Sequence, residues 1–451
     1  MNRRDFLQST AALGGLALLA PRGARASSKY DGPFFVTIQA GGGWDPTLLC
    51  DPKGGAAGNR ETVNQRYTPD QILTSGNIRV APTAYSIDVG GGTMFEVYSA
   101  KKFFDAWGSR FVVVNGVDTA TNNHDTGSRT VLAGRGADDF PNIAALAAAA
   151  AYGTTPAPMA YLSYGGYDGT GGLVPLTRAS NVDNLWRVAY PNRNDAKNPA
   201  SGTYLSPDTF LRVQAAQAAR TGRLVAKEPM PAMRRALSTL IASRSGDTGL
   251  ADIANYLPSK AAGGDDLRAR LGLAKGSSFG DGDIEGFMRQ AQLALASFQA
   301  GVGIGASLVM GGFDTHGDHD NSHTPQLMRL MFGVSFLMDE AQKAGLLDKL
   351  YVLVGSDFGR TPYYNAGNGK DHWAVTSMLV AGPGITGGRV VGSTNDGFMP
   401  DAVNASLQPD ANGFHLTPDH VHAALRQVAG LTGSDAAKQY PVTETLLPIL
   451  A

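Results

Sequence analysis

The chain has 451 residues, enough for one large α/β domain with insertions or for two domains, and ample for a substantial core. Its 38 Lys and Arg balance 39 Asp and Glu to a formal net charge of −1 at pH 7, which argues against a nucleic-acid partner, since such a partner demands clustered surplus cation. Cys50 is the only cysteine, which excludes an internal disulfide and places the thiol, by expectation, away from solvent.

In chain order, Asn2-Arg3-Arg4-Asp5-Phe6-Leu7 sets two arginines before the apolar run Ala11 to Ala20, and Ala24-Arg25-Ala26 supplies small residues beyond it. Residues 1–26 are therefore expected to be a twin-arginine signal peptide. Export implies the twin-arginine machinery as a partner and a mature protein that is periplasmic or secreted. An apolar run of about ten residues is too short to cross a bilayer, which needs about twenty, and no membrane span is expected elsewhere.

Next come short β-branched runs that stop abruptly at glycine and polar residues, the pattern of buried strands feeding functional loops. Phe34 to Gln39 ends in Gly41-Gly42-Gly43-Trp44-Asp45, Phe111 to Asn115 in Gly116-Val117-Asp118, and Pro158 to Ser163 in Tyr164-Gly165-Gly166. Gly305 to Met310 ends in Gly311-Gly312-Phe313-Asp314-Thr315-His316, Leu350 to Val354 in Gly355-Ser356-Asp357, and Ser377 to Val380 in Gly382-Pro383-Gly384. Helical periods cover Ile143 to Ala151, Pro207 to Arg223, Met233 to Ser243, Ile284 to Ala300, Pro325 to Ala344 and Pro418 to Leu431. Strands alternating with helices predict an α/β fold, a mainly parallel sheet sandwiched by helices, with ligands at the carboxyl ends of the strands. Residues 27–180 and 284–451 are expected to form the two parts of that domain. Residues 181–283, rich in Ala, Arg, Ser and Gly, are expected to be a largely helical insertion or cap.

Chemistry concentrates in two strand-end loops. Four of the eight histidines, His316, His319, His323 and His372, fall in or beside them, among Asp314, Asp318, Asp320, Asp357 and Asp371. Carboxylates and neutral imidazoles are ligands of hydrolytic divalent metals, zinc favouring nitrogen and magnesium, calcium or manganese accepting oxygen. Aspartates crowded at one sheet edge would repel one another without a cation. A solvated acidic loop is the other reading of Asp318 to Asp320. Asp45, after three glycines, could converge with Asp314 and Asp357 or simply cap a turn. A fourth piece, His124-Asp125-Thr126-Gly127-Ser128-Arg129, could open a helix whose free amides would welcome an anion, or could be an ordinary N-cap.

Together these pieces resemble the alkaline phosphatase and sulfatase superfamily. More closely, Gly42-Gly43-Trp44-Asp45, Gly312-Phe313-Asp314-Thr315-His316, Asp357-Phe358-Gly359-Arg360-Thr361, Asp371-His372-Trp373 and Gly387-Gly388-Arg389 look like the exported family called domain of unknown function 1501. The resemblance implies that Asp45 and Asp357 belong to one metal position and Asp314, His316 and His372 to another, for one or two divalent ions. It implies Thr126 or Asp125 as nucleophile, Arg129 as the grip on the anionic group and His124 as acid or base for the leaving group. The chain departs from the superfamily at Phe358, where a histidine is usual, and at Asp318, where another is common; no cysteine stands near Asp125, which excludes a cysteine-derived formylglycine. The function so implied is hydrolysis of a phosphate or sulfate ester on an anionic small molecule or glycan. The rival is a non-catalytic cell-envelope binding protein that keeps a partial metal site.

Overall fold

The computed structural model describes residues 29–451 apart from 57, 90–91, 153–156, 180, 232, 235–236, 239–249, 259, 275–276 and 444. The expected signal peptide, residues 1–26, and most of the helix expected over Met233 to Ser243 lie outside the described residues.

The central sheet has eight strands: β1 (Phe34–Ala40), β2 (Phe111–Asp118), β3 (Tyr161–Ser163), β4 (Leu176–Arg178), β5 (Gly305–Met310), β6 (Leu350–Ser356), β7 (Val375–Ala381) and β8 (Arg389–Val391). They lie in the order β8-β2-β7-β6-β1-β5-β3-β4. All run parallel except β7, which is antiparallel to both β6 and β2. The sequence marks Ser377 to Val380 as a strand but not its direction, because a buried β-branched run reads alike both ways. The reversal matters: the amino end of β7, not the Gly382-Pro383-Gly384 turn, lies at the edge where its neighbours end.

Helices cover both faces. Against one lie α1 (Ala100–Trp107), α5 (Gly282–Gln299) and α6 (His319–Lys343); against the other lie α2 (His124–Ala133), α3 (Ile143–Tyr152) and α7 (Pro418–Val428). Strand residues alternate between the two cores, as a period of two requires: Phe34, Val36 and Ile38 join the first and Phe35 the second. β6 does the same with Val352 and Val354 on one side, Tyr351 and Leu353 on the other. Each buried Val, Leu or Phe contributes about 1.5–3 kcal/mol of transfer free energy, and the few buried polar strand residues, such as Thr37 and Gln39, are hydrogen-bonded to other side chains. Cys50 is buried as expected, and burial pushes its thiol pKa up, away from a nucleophile's range.

Between Asn181 and Asp283 the described residues form helices at Val182–Ala189, Pro207–Lys227 (α4) and Gly264–Arg270, and no strand of the sheet. The expected helix over Pro325 to Ala344 starts earlier, at His319, and carries Pro325 inside it. Asp318 precedes it with φ of 44°. This upstream extension sets His319 and His323 four residues apart on one helical face. Among the described residues no helix is long and apolar enough to cross a membrane.

Helix α2 packs directly on β6, where a Cβ at Gly355 would stand 2.6 Å from Val131 Cγ1. Gly355→Val should therefore overpack this seam and lower unfolding free energy by about 1–3 kcal/mol, read by urea denaturation. An unchanged midpoint would show that α2 is not seated there.

Candidate active site

The register of the sheet brings the chemistry to one level. Ala40 pairs with both Ser356 and Met310, so β1, β6 and β5 end together and release Gly41, Asp357 and Gly311 side by side. Asp118 at the end of β2 pairs with Val375 at the start of the reversed β7, which returns His372 to the same edge. Two glycines make the close approach possible. Gly42 (φ 124°) presses so near the next loop that a Cβ would lie 2.5 Å from Asp314 N, and Gly43 (φ 89°) lies against the Phe358 ring.

At this edge Asp314 Oδ1, His316 Nε2 and His372 Nε2 form a triangle. Asp314 Oδ1 lies 2.9 Å from His316 Nε2 and 3.1 Å from His372 Nε2, and the two nitrogens are 3.0 Å apart. Bonds of about 2.0–2.1 Å to a tetrahedral zinc put ligand atoms about 3.3 Å apart, close to these edges. His124 Nε2 stands 3.5 Å from the other carboxylate oxygen of Asp314, and His124, Asp314 and His372 offer ligand atoms within 4.8 Å of one another.

The outer nitrogens explain why the inner ones converge. His372 Nδ1 faces the Asn122 carbonyl at 2.9 Å, His316 Nδ1 the Asp371 carboxylate at 2.7 Å, and His124 Nδ1 the Asp357 carboxylate at 2.8 Å. In a neutral ring each of these acceptors favours the proton on Nδ1, which turns the Nε2 lone pair inward. Inward lone pairs 3.0 Å apart repel unless a cation or proton lies between them. Histidines oriented in this way by carboxylates and carbonyls are how metal-binding imidazoles are held. The donor set therefore fits a divalent ion, with zinc favoured by its nitrogens. Burial alone would raise the Asp314 pKa, but the hydrogen bond from Arg360 and the Arg360 charge beside it help to outweigh this and hold the carboxyl at about 2.

Asp357 and Asp45, expected to share a metal position, face different partners. Asp357 is surrounded by donors: Oδ1 receives Gln39 Nε2 at 2.7 Å and Ser128 Oγ at 2.9 Å, and Oδ2 receives Gly42 N at 3.0 Å and faces His124 Nδ1. It orients His124 rather than facing the triangle. Asp45 is fully buried and paired with Lys370, whose Nζ lies 2.7 Å from Oδ2. Asp45 Oδ1 accepts from Thr47 N and Oγ1, and Oδ2 also meets His319 Nε2 at 3.1 Å.

The expected nucleophile segment is a helix start. Asn123 is the cap of α2 and accepts from Thr126 N at 3.0 Å; His124, Asp125 and Thr126 form the first turn. Asp125 lines a neighbouring cavity of about 780 Å³ with Gln39, Ser128, Arg129 and Tyr167. Arg129 pairs with Asp138, and its Nε donates to Asp125 O at 3.1 Å. Phe358, in the place of a usual histidine, is buried with its ring centroid 4.9 Å from that of His124 and 4.4 Å from that of His372.

Residues that sequence reasoning missed are mostly those that hold others. Gln39 is a buried glutamine in an apolar strand, a signal visible in the sequence. Arg360, fully buried, spans Gly43 O (2.8 Å), Lys370 O (3.0 Å) and Asp314 Oδ1 (2.7 Å). Lys370 and Asp371 directly precede His372 in sequence, but their different roles follow only from where the loop turns.

No curated protein matches the chain by sequence. Among solved structures its fold is similar to that of BT1596, a 2-O GAG sulfatase, at 10% identity and a TM-score of 0.32 over 92% of this chain and 75% of that one. The lipoteichoic acid synthase LtaP from Listeria monocytogenes is similar at 8% identity and a TM-score of 0.29, over 82% and 70% of the two chains. Both are likenesses of fold alone. The sequence profile described as protein of unknown function (DUF1501) matches residues 35–424, and the chain belongs to that family.

Proposed function

We propose that the protein is an exported hydrolase, periplasmic or secreted, that uses a divalent cation to cleave phosphate or sulfate esters of an anionic small molecule or glycan. The observation that carries this reading is the convergence of three imidazole nitrogens on Asp314, each held by an acceptor at its outer nitrogen. Asp314 and His316 side chains are 46% and 45% exposed, so the centre opens to solvent, as a catalytic centre requires and a structural one does not. Asp314, His316 and His372 would hold the ion, which supplies Lewis acidity to an ester oxygen.

The remaining groups do their work from fixed positions. His124, with Nδ1 held by Asp357, presents Nε2 to give a proton to the leaving oxygen or take one from the nucleophile. Asp125 or Thr126, in the same helical turn, would attack. Arg129 would grip the anionic group by releasing exposed Asp138. Phe358 closes the floor beneath His124 and His372 against water. A binding protein that keeps the centre without turnover is the second reading, favoured by the pairing of Arg129 with Asp138 and by the apolar ring at Phe358.

Elemental analysis of protein loaded with zinc or manganese should find bound metal, and release of chromophore from an aryl phosphate or aryl sulfate should accompany it. His372→Ala should lose both; metal without turnover would favour the binder, and no metal would overturn both readings. Asp357→Asn should lower kcat by roughly 100-fold through misorientation of His124 at wild-type metal content, measured with the same aryl ester; unchanged kcat would remove Asp357 from the centre. Of Asp125→Asn and Thr126→Ala, the one that removes the nucleophile should lower kcat by at least about 100-fold at wild-type metal content. Retention of turnover in both would assign the attack to solvent.

A further inference from the structure

We infer that Lys370 is a built-in cation: its ammonium stands where a second metal ion would be needed, so the centre takes one divalent ion per chain. The inference deepens the metal reading above and depends on it only for the first ion.

Asp45 and Lys370 side chains are both 0% exposed, and Lys370 Nζ lies 2.7 Å from Asp45 Oδ2 and 2.6 Å from the Val63 carbonyl oxygen. The Tyr364 ring faces the same ammonium, its centroid 5.1 Å away. The one charge of Lys370 neutralises the one charge of Asp45. Asp357, the other carboxylate expected to share a metal with Asp45, faces Gln39, Ser128, Gly42 and His124. With the ammonium in place, a divalent ion at Asp45 would add two uncompensated positive charges inside the protein.

A closed hydrogen-bond circuit fixes this arrangement. Asp45 N donates to His323 Nε2 at 2.8 Å, so the His323 proton sits on Nδ1, facing Thr315 Oγ1 at 3.0 Å. The Thr315 hydroxyl then donates to His319 Nδ1 at 2.7 Å, and His319 Nε2 donates back to Asp45 Oδ2 at 3.1 Å. Both histidines are fully buried, and burial lowers their pKa values, in keeping with neutral rings. The circuit is joined to the metal-binding triangle at two points: Thr315 lies between Asp314 and His316, and Lys370 lies two residues before His372. The tethered cation thus holds in place the two loops that carry the triangle.

Removing the ammonium should expose a second site. Lys370→Ala leaves Asp45 Oδ2 and the Val63 carbonyl oxygen at the vacated volume, an oxygen set suited to manganese with water completing its shell. Wild type, Lys370→Ala and the charge-neutral double variant Asp45→Asn with Lys370→Met would each be loaded with Mn²⁺, desalted, and assayed for metal per chain and for thermal unfolding with and without Mn²⁺. The account expects Lys370→Ala to bind one ion more than wild type. Without metal its Tm should fall by roughly 5–10 °C, and Mn²⁺ should restore most of the loss. The double variant should show neither the extra ion nor the restoration. Two ions on wild type, no increment in Lys370→Ala, or insolubility of that variant both with and without Mn²⁺ would overturn the inference. A wild type without metal beside a Lys370→Ala variant with one ion would uphold the role of Lys370 and remove the function proposed above.

Discussion

The carboxylate of Asp357 ties the site to the sheet. It meets donors from the end of β1 (Gln39), from the turn beyond it (Gly42) and from two positions of α2 (His124 and Ser128). Buried carboxylates survive only when their oxygens are satisfied, so this one group fixes the distance between β1, β6 and α2. The close packing of α2 depends on it too: Gly127 has no side chain because a Cβ there would stand 2.2 Å from the Asp357 carbonyl oxygen. With α2 held, His124 has one orientation, and its inward nitrogen falls beside Asp314.

Two kinds of polar assembly thus meet at one sheet edge. The inner one is dry and neutral in sum: Asp45, Lys370, Thr315, His319 and His323 are buried and bonded to one another. The outer one is half open, with Asp314, His316 and His372 facing solvent and anchored from behind by Arg360, Asp371 and Asn122. Low dielectric in the inner assembly strengthens every bond within it and makes any missing partner costly. That cost is what makes the backing rigid. The open assembly can then keep nitrogen lone pairs close together, an arrangement that a flexible loop would relax.

Much of this was legible in the sequence, because burial writes itself into composition. The apolar runs ending in glycine marked six of the eight strands, and the loops beyond them carried Asp314, His316, Asp357 and His372. The three-residue edge strands Leu176–Arg178 and Arg389–Val391 were not legible, since three residues are too few to show a period. Nor was the direction of β7, on which the position of His372 depends. Pro325 misled the reading of α6, because a proline usually marks a helix start; the helix instead begins at His319 and buries two histidines that looked like loop residues. Asp45 shows the remaining limit. A sequence says that a carboxylate lies after a strand, but whether a lysine 325 positions later reaches it depends on how two loops fold together.

Anomalous diffraction from crystals of the zinc- or manganese-loaded protein, collected at the metal's absorption edge, would test the central claim most directly. The account predicts one strong peak per chain, within bonding distance of Asp314, His316 and His372, with Lys370 still seated on Asp45. A peak at Asp45 and Asp357, or no peak at the triangle, would contradict it.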